Sequence, residues 1–568
     1  MNFNQTSYLL NTIKYLKPIQ VAYRARSIAS AKLTAVASFH NNPVHADPNW
    51  SPLTSISNFR NRSWISADGI ERNKFTFFNQ ASNFDNKLDW RVPDKSRLWR
   101  YNLHYFDYLF PDRDLNPLAA GRLMHSWLDC NSPGTPDAWD PFPISLRLVN
   151  WVKFFSFFDT SWIKKEKILQ SAYLQALWLE RHLEYHLLAN HLLKNAKALI
   201  FAGLFFKGED AERWLKKGTD IYAKQLDEQI LPDGGHFERS PMYHSMILED
   251  CLDLLNVCQD HTDQKVHEFA QQLKIISHRM GEFLLGMIHP DGDIALFNDA
   301  AFGIEVLPED LKTYYEQLTG EKLNTPGSTM WAFPETGYFI MAPQEGNRMI
   351  IDCGSIGPDY QPGHSHCDTL SFELSLKGQR VIVDSGCFQY EDGPIRQYNR
   401  GNAGHNTVTI DGENQSEVWA AHRCARRAYP LYARLEKGLN NELLFGGAHD
   451  GYKRLSGRPI HHRKIVWLDN VFKIEDRIEG HGHHDLETRL HINPKLDLEF
   501  KDEKVTVSYK EKPLLTISTN GAGRLKKTSG WYCPEFGKKL SCTLLIQKHK
   551  SVSLPFKCGW KLNIYNDS

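Results

Sequence analysis

The strongest constraint in this chain is a change of hydrophobic period near residue 325. Before it, apolar residues return at helical spacing, as in EKILQSAYLQALWLERHLEY and KVHEFAQQLKIISHRMGEFLLGMI. After it, GYFIMA, RMIIDCG, TLSFELSLKGQRVIVDSG, HNTVTIDG and RKIVWLDNVFKIEDRIEG alternate or are rich in β-branched residues, with Gly, Asn and Asp at the breaks. Helices followed by strands, not interleaved with them, argue for an α+β multidomain chain. At 568 residues the chain is also too long for one core. We expect a helical lead-in and capping segment over 1–85, a helical domain over 86–325, and an antiparallel β-sandwich over 326–568.

The helical part carries an internal echo. Two helices run into related turns, Leu231-Pro232-Asp233-Gly234-Gly235 and His289-Pro290-Asp291-Gly292-Asp293, with the prolines 58 residues apart. A helix-plus-turn unit recurring at that period is the pattern of stacked helical hairpins, and so of an incomplete (α/α) toroid.

Charge narrows the function. Lys plus Arg and Asp plus Glu both number 67, so no overall field recruits nucleic acid or an acidic polymer. An anionic substrate has to be met by a local cluster of cationic and amide groups. The ten cysteines include no C-x-x-C pair, which excludes a zinc-finger pattern, and no apolar run approaches a membrane span. Residues 1–33 lack the charged-then-apolar order of a signal peptide. That favours the cytoplasm and leaves the periplasm or secretion open. Oligomeric state is not legible. Aromatic residues make up 12% of the chain, and core filling is the expected use for most of them.

Three constellations can carry chemistry. Asn190 lies near the start of a helix whose apolar face is Leu188, Leu192, Ala196, Leu199 and Ala202; an N-terminal cap is the plainer use of it. Ser240-Pro241 reads as a helix cap and first residue, which puts Tyr243 in the first turn, where the helix dipole favours a phenolate. Tyr243 also heads an apolar stripe with Ile247, Cys251, Leu254 and Cys258, so a core tyrosine is the competing use. The third set is His364, His366 and Asp368, then Asp384, then His405. In an extended strand the first three point to one face, and three His with two Asp make a metal site. A tight hairpin at LSLKGQRV would set Asp384 opposite residues 371–373, so sharing one ion requires a bend between His366 and Leu370.

Several segments together resemble the heparinase II/III family of polysaccharide lyases. They are Trp99-Arg100-Tyr101-Asn102-Leu103-His104-Tyr105-Phe106, the stretch from Trp139 to Trp151, Asn190-His191-Leu192-Leu193, Ser240-Pro241-Met242-Tyr243-His244, Gly363 to Asp368 and Gly404 to Val408. The likeness runs from about 95 to 430. It implies an N-terminal incomplete (α/α) toroid followed by a C-terminal antiparallel β-sandwich. It implies Asn190 as the group that holds a substrate carboxylate, Tyr243 as the catalytic tyrosine and His364 as the catalytic histidine. His366, Asp384 and His405 would hold a divalent ion, commonly zinc, that braces the region. Asn at 190 is more similar to heparinase III than to heparinase II.

The activity so implied is β-elimination on an acidic polysaccharide or oligosaccharide, leaving a 4,5-unsaturated uronate end. An amide from Asn190 would stabilise the enolate-like state, and Tyr243 or His364 would move the protons. The toroid and the sandwich are expected to approach the sugar from opposite sides. His104, Arg147, Arg396 and Arg400 are candidate contacts to acidic sugars. Three other readings stand beside this one: a glycoside hydrolase using carboxylates such as Glu238, Asp299 and Asp233, a non-catalytic polysaccharide-binding or assembly protein of a surface-polysaccharide pathway, and a uronate C5 epimerase.

Overall fold

A computed structural model describes residues 3–33, 48–55, 57, 59–60, 62, 65–84, 88–112, 115–324, 329–521 and 523–566. Helices Phe3–Ile13 and Pro18–Leu33 lead in, followed by a short helix Ala67–Glu71 and a hairpin of Lys74–Phe77 with Gln80–Asn83. The helical domain follows as Arg97–Tyr105, Pro117–Cys130, Pro141–Phe157, Glu166–Arg181, Ala189–Phe205, Glu209–Gln229, Pro241–Cys258, Gln264–Gly286 and Pro308–Thr319. Four of these start with proline at the first turn, where a missing N–H costs nothing. No described helix is long and apolar enough to cross a membrane.

Close helix packing depends on two glycines. A Cβ on Gly203 would sit 2.6 Å from the Leu215 nitrogen, and one on Gly218 would sit 2.7 Å from Ile200. Helices Ala189–Phe205 and Glu209–Gln229 therefore approach backbone to backbone, which seats Asn190 firmly in the toroid wall.

The two related turns are the same structure twice. Each begins with a single antiparallel bridge, Ile230 to His236 and Ile288 to Ile294. Each turns on a glycine at φ +89°, Gly234 and Gly292. Both send a carboxylate into the sandwich. Asp233 accepts from the Thr336 amide at 2.7 Å and its hydroxyl at 2.5 Å. Asp291 takes Arg380 at 2.6 Å, while His289 meets Glu373 at 2.9 Å. Arg380 also donates to the carbonyls of Asp293 and Ile294. The repeat read from the sequence is thus the joint between the domains.

After Met330 the described chain is mostly antiparallel strand, broken by irregular stretches at 353–371 and 383–407, the second of which carries a short helix, Pro394–Arg400. One sheet runs Leu525–Glu535, Lys538–Ser553, His483–Ile492, Gln379–Ile382, Phe372–Leu376, Arg348–Asp352, Tyr338–Met341, Met330–Phe333, with Val408–Ile410 beside His483–Ile492. The other runs Pro430–Lys437, Leu443–His449, Ile460–Leu468, Val471–Glu479, Phe556–Ile564, Lys512–Thr519, Lys504–Tyr509, Asp497–Lys501. Leu374, Leu376, Leu490 and Leu545 of the first sheet meet Phe445, Ile474, Trp560 and Leu562 of the second in one apolar core. The toroid's core continues across the joint to Val383, Cys387, Phe536 and Leu544. All ten cysteines are free thiols.

Two residues expected at the substrate are core residues instead. Arg147 is fully buried, donates to Gln175, to the His104 carbonyl and to the Ala138 carbonyl, and lies 4.0 Å from the Trp127 ring. His104 accepts from the Trp127 indole N–H at 3.1 Å and is 2% exposed. Sequence spacing could not separate an arginine that solvates carbonyls inside a helical ring from one that faces a cleft. Arg147→Ala orphans three buried acceptors, at about 1–3 kcal/mol each. It should lower the urea or thermal midpoint by several kcal/mol in stability, while the remaining folded protein keeps its KM.

Candidate active site

The site is built at the joint, from the first turns of two toroid helices and one sandwich loop. Asn190 is the second residue of its helix and not its cap, which is Leu188. Its amide donates to Glu238 Oε1 at 2.9 Å and its backbone N–H points at the same oxygen at 3.3 Å. Ser240 caps the next helix as expected, accepting from the Tyr243 N–H and donating to the Asp299 carbonyl at 2.6 Å. Tyr243 heads the buried stripe but itself emerges, and its hydroxyl meets that of Tyr390 at 2.9 Å.

His364 arrives from the sandwich on an irregular loop, not on the strand expected there. Arg400 pins that loop by donating to the Ser365 and Pro362 carbonyls. Asn298 fixes the next residues: its side chain accepts from the His366 N–H and its own N–H donates to Asp368. The required bend is at Leu370, whose φ is +67°. Gln379–Ile382 pairs with Phe372–Leu376 in the register that sets Asp384 beyond the end of the hairpin.

Asp299 organises the group. Its carboxylate takes His364 Nδ1 at 2.9 Å, His366 Nε2 at 2.8 Å and the Arg396 guanidinium on both oxygens. Burial alone would raise this carboxyl, but Arg396 and the hydrogen bonds from both histidines hold it well below the usual range. An ionised carboxylate only accepts, so Nδ1 of His364 carries a proton. Nε2 lies 3.6 Å from Glu238 Oε2. The His364 and Tyr243 rings touch, with centroids 3.9 Å apart.

That contact departs from the expected placement on opposite sides of a cleft: the two rings lie side by side, with no room between them. The expected phenolate is overturned too. Burial raises Tyr243 well above 10 despite the hydrogen bond with Tyr390, and the nearby Asp299 and Glu238 carboxylates add to the rise. Arg396 and Arg400 are wholly buried and spent on Asp299 and loop carbonyls, so neither is a cleft contact. Tyr390 gives no signal in the sequence.

A metal-ligand set lies behind the histidine. His366, Asp368 and His405 each offer an atom within 4.8 Å of the others. His366 spends Nε2 on Asp299, and His405 spends Nδ1 on Asp384 at 2.7 Å. Their remaining nitrogens, Nδ1 of His366 and Nε2 of His405, are buried and have no hydrogen-bond partner among the described residues. Two lone pairs so oriented beside a carboxylate fit a divalent ion. Asp384 thereby differs from its expected part: it orients His405, and Asp368 takes the carboxylate position in the cluster.

Tyr243 and Tyr390 border a cavity of about 190 Å³ that runs along the inner faces of four toroid helices. Aromatic residues Tyr105, Phe142, Phe77, Phe78 and Phe536 line its upper part. Its floor is an ion-pair lattice: Lys153 on Asp253 at 2.6 Å, Lys194 on Asp250 at 2.8 Å, and Lys197 between both carboxylates.

Two family models match the chain, Heparinase II/III N-terminus over residues 123–322 and Heparinase II/III-like, C-terminal over 325–561. A heparin-sulfate lyase of Bacteroides stercoris is 24% identical over 431 residues, 71% of this chain and 61% of that protein. One of Pedobacter heparinus is 25% identical over 299 residues, 49% of this chain and 44% of that protein. The chain thus spans less than two thirds of these relatives. Among solved structures, heparinase III superposes with a TM-score of 0.69 at 17% identity, covering 98% of this chain and 93% of that one. A heparan sulfate lyase from Pedobacter heparinus gives 0.58 at 19%, covering 97% and 88%. These likenesses carry the fold, and the two family models span most of the sequence: the chain belongs to the heparinase II/III family.

Proposed function

We propose that this protein is a polysaccharide lyase that cleaves a uronate-containing glycan by β-elimination. The observation that carries the reading is the joining of Asn190, Tyr243 and His364, from three separate stretches of sequence, into one group: Asn190 holds Glu238, whose other oxygen lies 3.6 Å from His364, and the His364 and Tyr243 rings are in contact. The relatives named as heparin-sulfate lyases support it.

Each residue has a task that its surroundings suit. His364 Nε2, with the tautomer fixed by Asp299, removes the C5 proton. Tyr243, kept protonated by burial, gives its proton to the departing O4, and Tyr390 orients that hydroxyl. Asn190 donates to the uronate carboxylate as charge moves onto it, an interaction stronger in the transition state than in the ground state. Because base and acid lie side by side, the C5 hydrogen and O4 should leave from one face of the ring. That is the arrangement in glucuronate and not in iduronate.

The hydrolase alternative loses its carboxylate pair. Asp299 is consumed by two histidines and Arg396 and Asp233 by Thr336, which leaves Glu238, bonded to Asn190 through Oε1 alone, without a second carboxylate to work with.

A divalent ion, for which zinc suits the nitrogen-rich donors, would be held by His366, Asp368 and His405. When bound it would brace the loop that presents His364. The substrate chemistry above is done by the protein's own side chains.

The following outcomes test this. Ultraviolet absorbance from unsaturated uronate should rise with glucuronate-rich heparan sulfate and not with iduronate-rich fractions. Tyr243→Phe should cut that rate by about 10²–10⁴ with the fold unchanged by circular dichroism. No absorbance from any of a panel of uronate polymers would sink the reading. The pH profile of kcat/KM should show no alkaline fall from Tyr243 below about pH 10, since its folded pKa lies above the reference value. Finally, mass spectrometry of the native protein should find one bound divalent ion per chain, lost in His405→Ala. Chelation should lower the thermal midpoint of the parent protein and leave that of His405→Ala unmoved.

A further inference from the structure

The surroundings of the catalytic group say which part of a polymer can reach it. On one flank, three residues before Asn190 and four before His364, the toroid and sandwich are tied together by the N-terminal helices. Gln20, fully buried, donates to the Leu187 carbonyl at 3.4 Å and to the Tyr360 carbonyl at 3.3 Å. Lys17 pairs with Glu228 and lies 4.0 Å from the Tyr360 ring, and Tyr360 donates to Glu228 at 2.8 Å.

The opposite flank is crossed as well. The turn of the Lys74–Asn83 hairpin is Phe78-Asn79, both at positive φ. Phe78 packs edge-on against Phe536 at 5.4 Å, and Asn79 donates to the Phe536 carbonyl at 2.9 Å and to Glu535 at 3.1 Å. Phe536 in turn packs on Tyr390 at 5.0 Å. Behind the group, the Asp299 N–H donates to the His364 carbonyl at 3.0 Å, sealing toroid to sandwich.

The side left open is the toroid cavity, whose lining includes the solvent-exposed Thr76 and Gly303. It descends along one helix from Tyr243 to Asp253, ten residues or about 15 Å. There it stops: Lys153, Lys197, Asp250 and Asp253 are 7%, 5%, 1% and 1% exposed and paired with one another. A polymer crossing this site in both directions would meet the bridged flanks, whereas a chain end can enter the cavity and stop on its charged floor.

Resting on the lyase reading, we infer that this protein acts on chain ends and short oligosaccharides, not on the interior of a polymer, with the terminal sugars lodged in the toroid cavity. The test uses the full chain with heparan sulfate and chondroitin, each fractionated by size from hexasaccharide to intact polymer. Absorbance and average chain length are followed together. We expect the smallest unsaturated product from the first time point, with average length falling slowly. At equal mass and below saturation, halving the chain length should double the rate, in step with the number of ends. Early collapse of chain length into mid-sized fragments, with absorbance rising, would overturn this inference and leave the lyase reading standing. Absence of absorbance at every size would overturn both.

Discussion

Everything at the joint leans on one buried carboxylate. Asp299 is fully enclosed, and an unpaired charge there would be prohibitive. It is kept ionised by Arg396 and by ring protons of two histidines, and each of those partners is thereby fixed in turn. His364 gains its tautomer from that bond. His366 gains the orientation that turns its free nitrogen toward His405. Through its own backbone, Asp299 also holds the Ser240 cap and hence the helix that carries Tyr243.

Much of the architecture was legible because it is written in periodicity. The change near residue 325, the Pro-started helices and the repeated turn all appear where local chemistry dictates them. Ser240 capping the Tyr243 helix follows from two adjacent residues. The site was legible only in its reactive members. Asn190, Tyr243 and His364 converge, but the partners that tune them sit 48 to 147 residues away in sequence, as Glu238 does from Asn190 and Tyr390 from Tyr243. No spacing rule reports such contacts.

The arginines and histidines misled for one physical reason. A guanidinium carries five donors, and buried helix ends and loops hold carbonyls that need them. Arg147, Arg396 and Arg400 all answer that need. Asp384 and Asp368 exchange places for a similar reason. Both are near the histidines in sequence, but which one reaches the shared point is set by the turn at Leu370.

The two repeated turns have a consequence for how the site arises during synthesis of the chain. His364 and Tyr243 belong to different domains, and the joint that brings them together is made where Asp233 finds Thr336 and His289 with Asp291 finds Glu373 and Arg380. Neither half holds the site while it waits for the other. A nascent helical ring, emerging first, stays without it until the sheets that follow have folded and locked onto it, so the chain's own order of manufacture decides when the site is complete.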